Sequence, residues 1–171
     1  MAPMPQFADL LREHQSLVYS LAYHALGDRA AAEDLTQEVF LALHEHLGKL
    51  ESEAHVKAWL MRVTANRSID EIRRRRYRRG PSLEQTSEPV REPLQEEMVL
   101  RDEVRRLVAT LPATARTILI LRYQEELELA EIARLLEVPV QTVKSRLHRS
   151  VNLLRQRIAR KFSAARAGRQ A

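Results

Sequence analysis

Leu129-Ala130-Glu131-Ile132-Ala133-Arg134-Leu135-Leu136-Glu137-Val138-Pro139-Val140-Gln141-Thr142-Val143-Lys144-Ser145-Arg146-Leu147-His148-Arg149-Ser150 is the stretch on which the reading of this chain turns. Leu129, Ile132, Ala133 and Leu136 recur at steps of three and four, which places them on one face of a short helix. Glu137-Val138-Pro139 interrupts that pattern as a turn. Val140, Val143, Leu147, Val151, Leu154 and Ile158 then resume it and fix the buried side of a longer helix. Gln141, Lys144, Ser145, His148, Arg149 and Asn152 are left outside, all able to donate to base edges or phosphates, with no carboxylate to repel a nucleic-acid backbone. A short helix, a tight turn and a basic second helix make a helix-turn-helix whose second helix enters the major groove. The bland alternative is a solvated helical hairpin. Against it stands the stretch from Val138 to Ala171, which holds nine Lys/Arg and no acid. DNA-binding turns of this kind often carry glycine. Glu137 stands in its place, which predicts that the first helix runs slightly further.

The charge of the rest of the chain is as segregated as that of its end. Residues 1–56 carry three Lys/Arg (Arg12, Arg29, Lys49) against nine acids, whereas residues 57–80 carry nine Lys/Arg against Asp70 and Glu71. Residues 81–103 turn acidic again, with Arg91 and Arg101 against seven acids. Two basic blocks divided by an acidic stretch suit two contacts with a polyanion, bridged by a segment that avoids it. The formal net charge of +5 hides this arrangement.

Working outward, the expectation is all-α. Phe7, Leu10, Leu11, Leu17, Val18, Leu21 and Leu26 have helical spacing, Gly27 serves as a C-cap and Asp28 as the next N-cap. A second helix from Arg29 to His46 buries Leu35, Val39, Ala42 and Phe40 or Leu43. Gly48 breaks it, and Ser52 caps a third helix through Trp59, Leu60, Val63, Ile69 and Ile72 into the run Arg73–Arg79. Trp59 falls in the apolar pattern and reads as core. Gly80-Pro81 ends the helix, and the stretch to Gln95 holds three prolines without periodicity, the composition of a tether. Helix resumes near Glu96, and Leu111-Pro112 opens another through Ile118 to Tyr123. The expected architecture is therefore two small helical domains, each a bundle folding by itself, joined by a flexible linker: residues 1–79, an acidic linker 80–100, and 101–171.

Several function classes drop out. With no cysteine there is no disulfide framework, thiolate zinc site or cysteine nucleophile, and the chain fits a reducing cytoplasm. The longest apolar run, Val39–Leu43, is far too short for a membrane span or a signal-peptide core. His44, His46 and His55 with Glu45 and Glu51 could be imagined as metal ligands, but His44 and His46 are two apart on a helix and face different ways. With no His-Glu-x-x-His, glycine-rich phosphate loop or plausible triad, the reading includes no catalytic residue, no metal and no cofactor.

The residues resemble a known family, the extracytoplasmic-function sigma factors of the sigma-70 class. The core Thr142-Val143-Lys144-Ser145-Arg146-Leu147-His148-Arg149 resembles their region 4, as does Leu111-Pro112 followed by Leu119–Tyr123. Ala32-Glu33-Asp34-Leu35-Thr36-Gln37-Glu38-Val39-Phe40 after Gly27-Asp28 resembles region 2.2, and Ala58–Asp70 with the following arginines resembles regions 2.3 and 2.4. The resemblance spans roughly residues 7–160. It implies a protein that joins the RNA polymerase core through the β′ and β subunits and directs initiation at promoter DNA. It also implies that Asp34, Gln37, Glu38 and Glu45 dock on polymerase, although a plain solvated helix face is the alternative. Asn66, Asp70 and Arg73, on one stripe and flanked by Arg74, Arg75 and Arg76, then grip the minus-ten element. The loop from His46 to Val56 lacks an aromatic residue, so a hydrogen-bonding base pocket and limited melting power follow. Gln141, Ser145 and His148 are assigned to bases of the minus-thirty-five element, and Lys144, Arg146 and Arg149 to phosphates, with Thr142 on the same surface. The acidic linker fits a basic polymerase channel or, equally, a solvated tether. Family members are commonly held by an anti-sigma factor, which adds that partner. A stand-alone helix-turn-helix regulator is the alternative in another class, and it leaves the Asp34–Phe40 surface without a purpose.

Overall fold

The computed structural model describes residues 6–79 and 96–167, and every regular element among them is helical. The first group comprises α1 (Phe7–Leu26), α2 (Arg29–His46), a 3-10 turn (Leu47–Lys49) and α3 (Glu53–Arg79). The second comprises α4 (Glu96–Ala109), α5 (Ala113–Tyr123), α6 (Leu129–Leu136) and α7 (Val140–Ala167). The acidic tether read at Gly80–Gln95 lies outside the described residues, and α4 begins at Glu96 as its helical pattern requires.

Local chemistry accounts for the helix ends. Gly27 ends α1 in the left-handed region at φ 66°, where a side chain would be strained, and its N–H donates to the Tyr23 carbonyl. The Asp28 carboxylate accepts from the Ala31 N–H at 2.9 Å, and the Ser52 hydroxyl accepts from the His55 N–H at 3.2 Å. The apolar stripes of α1, α2 and α3 then close on Leu10, Val18, Leu35, Val39, Phe40, Leu43, Val56 and Leu60. Trp59 packs against this core with its ring 5.6 Å from that of His46. Ala42, one of the residues expected inside, is only half-buried, while both Phe40 and Leu43 are buried.

Two expectations change. Glu137 does not prolong α6. It adopts φ 55°, ψ 42°, the conformation a glycine would take there, and its N–H bonds back to the Arg134 carbonyl. Holding an L-residue in this region costs on the order of 1 kcal/mol. Glu137→Gly is therefore expected to stabilise the chain by about 0.5 kcal/mol after the added freedom of the unfolded state is subtracted. Thermal unfolding should move up by about 1–2 °C, and a downward shift would mean that Glu137 is held there by contacts worth more than the strain.

The second change concerns the two bundles, which do not stand apart. Leu21 and Ala25 of α1 and Met61 and Ala65 of α3 share one core with Ile118, Ile120 and Leu121 of α5, Ile132 and Ala133 of α6, and Val143 of α7. Small residues on the first group, Ala25 and Ala65, let the helices of the second approach closely. Periodicity assigned Leu21, Ile132, Ala133 and Val143 to the buried sides of their own helices. It could not say that what buries them belongs to the other half of the chain.

Candidate nucleic-acid and polymerase surfaces

On α2 the residues Asp34, Gln37, Glu38 and Glu45 are all exposed and lie along one stripe at helical spacing. Leu41 sits in the middle of that stripe and is 67% exposed. Sequence reading passed over it because it belongs to the apolar run Val39–Leu43, yet the helix turns it away from the core. An apolar centre inside a polar rim is an arrangement that protein-binding patches share. Glu38 also holds Arg67 of α3 at 3.0 Å. Asp34, Glu38, Arg67, Asp70 and Arg74 together line a polar cleft between α2 and α3.

Along α3 the exposed Asn66, Asp70 and Arg73 share a stripe, as their spacing of four and three requires. Asp70 approaches Arg73 at 3.9 Å. Tyr77, four residues on, continues the same stripe with 91% of its surface exposed. An aromatic ring standing free among arginines can stack on a base or pack on a sugar, and the step of four from Arg73 was the signal that could have found it. The flanking arginines are not equivalent. Arg76 is exposed, and Arg74 pairs with Glu71 at 3.2 Å while remaining largely open to solvent. Arg75 is only 24% exposed and is held by Glu71 at 2.8 Å and Asp28 at 3.6 Å, which ties α3 to the start of α2.

In the second group α6 and α7 form the helix-turn-helix. The N–H of Glu128 donates to the Glu131 carboxylate at 2.7 Å at the start of α6, and Val143 anchors α7 in the core with no exposure. Gln141, Lys144, His148 and Arg149 are exposed, and Thr142, Ser145 and Arg146 are half-buried around them. The Ser145 hydroxyl donates to the Thr142 carbonyl at 3.1 Å, so its remaining capacity is that of an acceptor. The His148 ring meets the Asn152 amide at 2.9 Å, which fixes the imidazole orientation relative to the outer face. All seven of the residues singled out here lie within the first three turns of α7, where a helix entering a groove end-on presents its side chains.

The histidines weighed as ligands are dispersed. His44 packs edge-on against Phe7, and His46 bonds the Ala42 carbonyl at 2.9 Å. Among the described residues no helix is long and apolar enough to cross a membrane.

Comparison with known proteins identifies the family. The family model for sigma-70 region 2 matches residues 10–78, and that for sigma-70 region 4 matches residues 101–154. The chain is 30% identical over 165 residues to the ECF RNA polymerase sigma factor SigW of Bacillus subtilis, covering 89% of this chain and 88% of that one. It is 33% identical over 150 residues to the ECF RNA polymerase sigma factor SigL of Mycobacterium tuberculosis, covering 85% of each. The fold resembles that of the sigma factor RpoE from Bartonella quintana, solved in complex with the anti-sigma factor NepR, with a TM-score of 0.69 at 20% identity over 88% of this chain and 94% of that one. Region 2, region 4 and near-full-length relatives in one order show that the chain belongs to the extracytoplasmic-function sigma factors of the sigma-70 family, initiation factors that act with RNA polymerase to direct transcription from promoters.

Proposed function

We propose that residues 1–79 carry core-polymerase docking and minus-ten recognition, residues 80–100 the connection, and residues 101–171 minus-thirty-five recognition. Asp34, Gln37, Glu38, Glu45 and Leu41 form the docking face; charge steers the encounter and Leu41 supplies the apolar anchor. Asn66, Asp70 and Arg73, with Arg74, Arg76 and Tyr77, contact the minus-ten element, while Arg75 holds the helix in register through Asp28 and Glu71. On α7, Gln141, Thr142, Ser145 and His148 face bases, and Lys144, Arg146 and Arg149 face phosphates. The protein works in the cytoplasm, catalyses no step itself and requires no cofactor. An anti-sigma factor is its inhibitory partner, in line with the company in which its structural relative was solved.

The observation that carries this reading is the acid-free outer face of α7 on a buried Val143 anchor. Transcription from a cognate promoter by reconstituted holoenzyme tests it. Arg149→Ala should weaken binding to all sequences alike and reduce the slope of log affinity against log salt by about one. Gln141→Ala should relax preference at one or two base pairs by about 1–3 kcal/mol each and leave the salt slope alone. Equal losses for Gln141→Ala on promoter and random DNA would take that residue off the reading face. Failure of the purified chain to confer promoter-specific transcripts on the core would reject the reading as a whole.

A further inference from the structure

His14 lies on the buried face of α1, one turn after Leu10 and one turn before Val18, and is only 5% exposed. Its spacing is that of a core residue, but its chemistry is not. The Nε2 atom is buried and has no hydrogen-bond partner among the described residues. A buried polar atom left unpaired is costly, so its presence calls for a partner.

Two carboxylates stand at the same spot. Glu13 is the neighbour of His14 in α1, and Glu53 lies in the first turn of α3; both are exposed. A ring nitrogen of His14 and one oxygen from each carboxylate all lie within 4.8 Å of one another. Neither acid has a hydrogen bond or ion pair among the described residues. Arg12, beside Glu13 in sequence, is turned instead to Asp9 at 2.6 Å. Like charges this close repel, and a shared cation relieves the repulsion. Exposed acids alone often gather without a ligand. The unpartnered imidazole buried beneath them turns the pair into a ligand set.

The donors decide which ion fits. An imidazole nitrogen with two carboxylate oxygens suits a divalent first-row transition ion, whereas magnesium and calcium take oxygen ligands. No cysteine is available to select monovalent copper through a thiolate. Ligand atoms bound to zinc at about 2.0–2.2 Å lie roughly 3–4 Å from one another, so the exposed carboxylates have to close by only about 1 Å. Three protein ligands leave a further position for water.

We propose that Glu13, His14 and Glu53 form a binding site for a divalent transition-metal ion of the zinc type, which staples the first turn of α3 to α1. Nothing reacts at this ion, so it is a brace and not a cofactor of initiation. It pins the end of the loop from His46 to Val56, a segment in which only Leu50 and Val56 are buried.

The full chain, without a histidine tag and stripped of metal by a chelator, is titrated with zinc and followed by long-range proton–nitrogen correlation spectra of its six imidazoles. The His14 ring nitrogens should shift at one equivalent of zinc, ahead of the other five rings. Sequential assignment of the wild-type chain identifies that signal, so the result stands even if His14→Gln does not fold. Glu13→Gln and Glu53→Gln, both at exposed positions, should each weaken zinc binding by at least about tenfold. His55→Gln removes an exposed histidine outside the cluster and should leave the affinity unchanged. At about a hundredfold excess over Kd, zinc should raise the melting temperature by about 5–10 °C, and Glu53→Gln should lose that rise. Millimolar magnesium should leave the His14 signal where it is. A His14 signal that stays put while zinc binds elsewhere, an affinity unchanged by Glu53→Gln, or an equal response to magnesium would overturn the site. Zinc binding is read on the chain alone, so its failure leaves the sigma reading untouched.

Discussion

Replacing Asp34 and Glu38 together by arginine is expected to abolish binding to core polymerase while leaving the fold intact. The two side chains are a helical turn apart on the exposed stripe of α2, so both reversals fall on the one proposed docking face. Truncating one member of a buried, hydrogen-bonded charge pair at an interface costs about 2–5 kcal/mol. Two reversals replace attraction with repulsion, and the loss should exceed about a hundredfold in affinity, since 1.4 kcal/mol is a factor of ten. The chain itself should barely notice. Glu38 pairs with Arg67 at 3.0 Å on the surface, a contact worth at most about 1 kcal/mol, and Asp34 is exposed. Competition against the wild-type chain for a limiting amount of core, beside a thermal melt of each protein, separates the two quantities. Undiminished competition by the double variant would move the docking face elsewhere. Leu41→Glu should show a similar loss, because it places a charge at the apolar centre of the proposed docking face.

The second large effect is on stability. Leu60 has no exposed surface and lies where α1, α2 and α3 meet. Leu60→Ala should cost about 2–5 kcal/mol, a substantial share of the roughly 5–15 kcal/mol that holds a domain together. The midpoint of unfolding should fall by about 5–15 °C. Lys57→Ala, one turn away and exposed, should change stability by less than about 0.5 kcal/mol. The shape of the melt carries further information. If the two halves unfolded independently, a Leu60 truncation would leave a second transition at its original temperature. The core that joins Leu21, Ala25, Met61 and Ala65 to Ile118, Leu121 and Ile132 predicts a single transition that moves as a whole.

What could be read without coordinates followed from effects that act over a few residues. Gly27, Asp28 and Ser52 end or begin helices through bonds to residues at most four away, so their roles were visible as spacing and type. The stripes of α2, α3 and α7 were visible for the same reason. Long-range facts were closed. Arg116 reads as one more basic residue in a helix-forming stretch, because its partner Ala25 lies ninety-one residues earlier. Arg75 reads like its neighbours in the arginine run, and only the position of Asp28 separates it from them. Leu41 and Tyr77 were missed for a different reason. Each sits in a run of one composition, apolar in the first case and basic in the second, and the run masked the single residue whose direction differs. Glu137 shows the opposite error, where a residue type suggested a conformation that the surrounding packing overrides.

The core shared by the two halves also sets an order of events during synthesis. α1 to α3 leave the ribosome first, and their own contacts bury Leu10, Leu43 and Leu60. Leu21, Ala25, Met61 and Ala65 have to wait, because Ile118, Ile132 and Val143 are encoded later. Roughly eighty residues separate Ala65 from Val143, and at about 5–20 residues per second that interval lasts several seconds. For that time the nascent chain presents an apolar patch beside an acidic α2 and a basic α3, with nothing of its own to cover it. A chaperone has its opportunity in that interval, and a truncated message that stops before α5 would leave the patch uncovered for good.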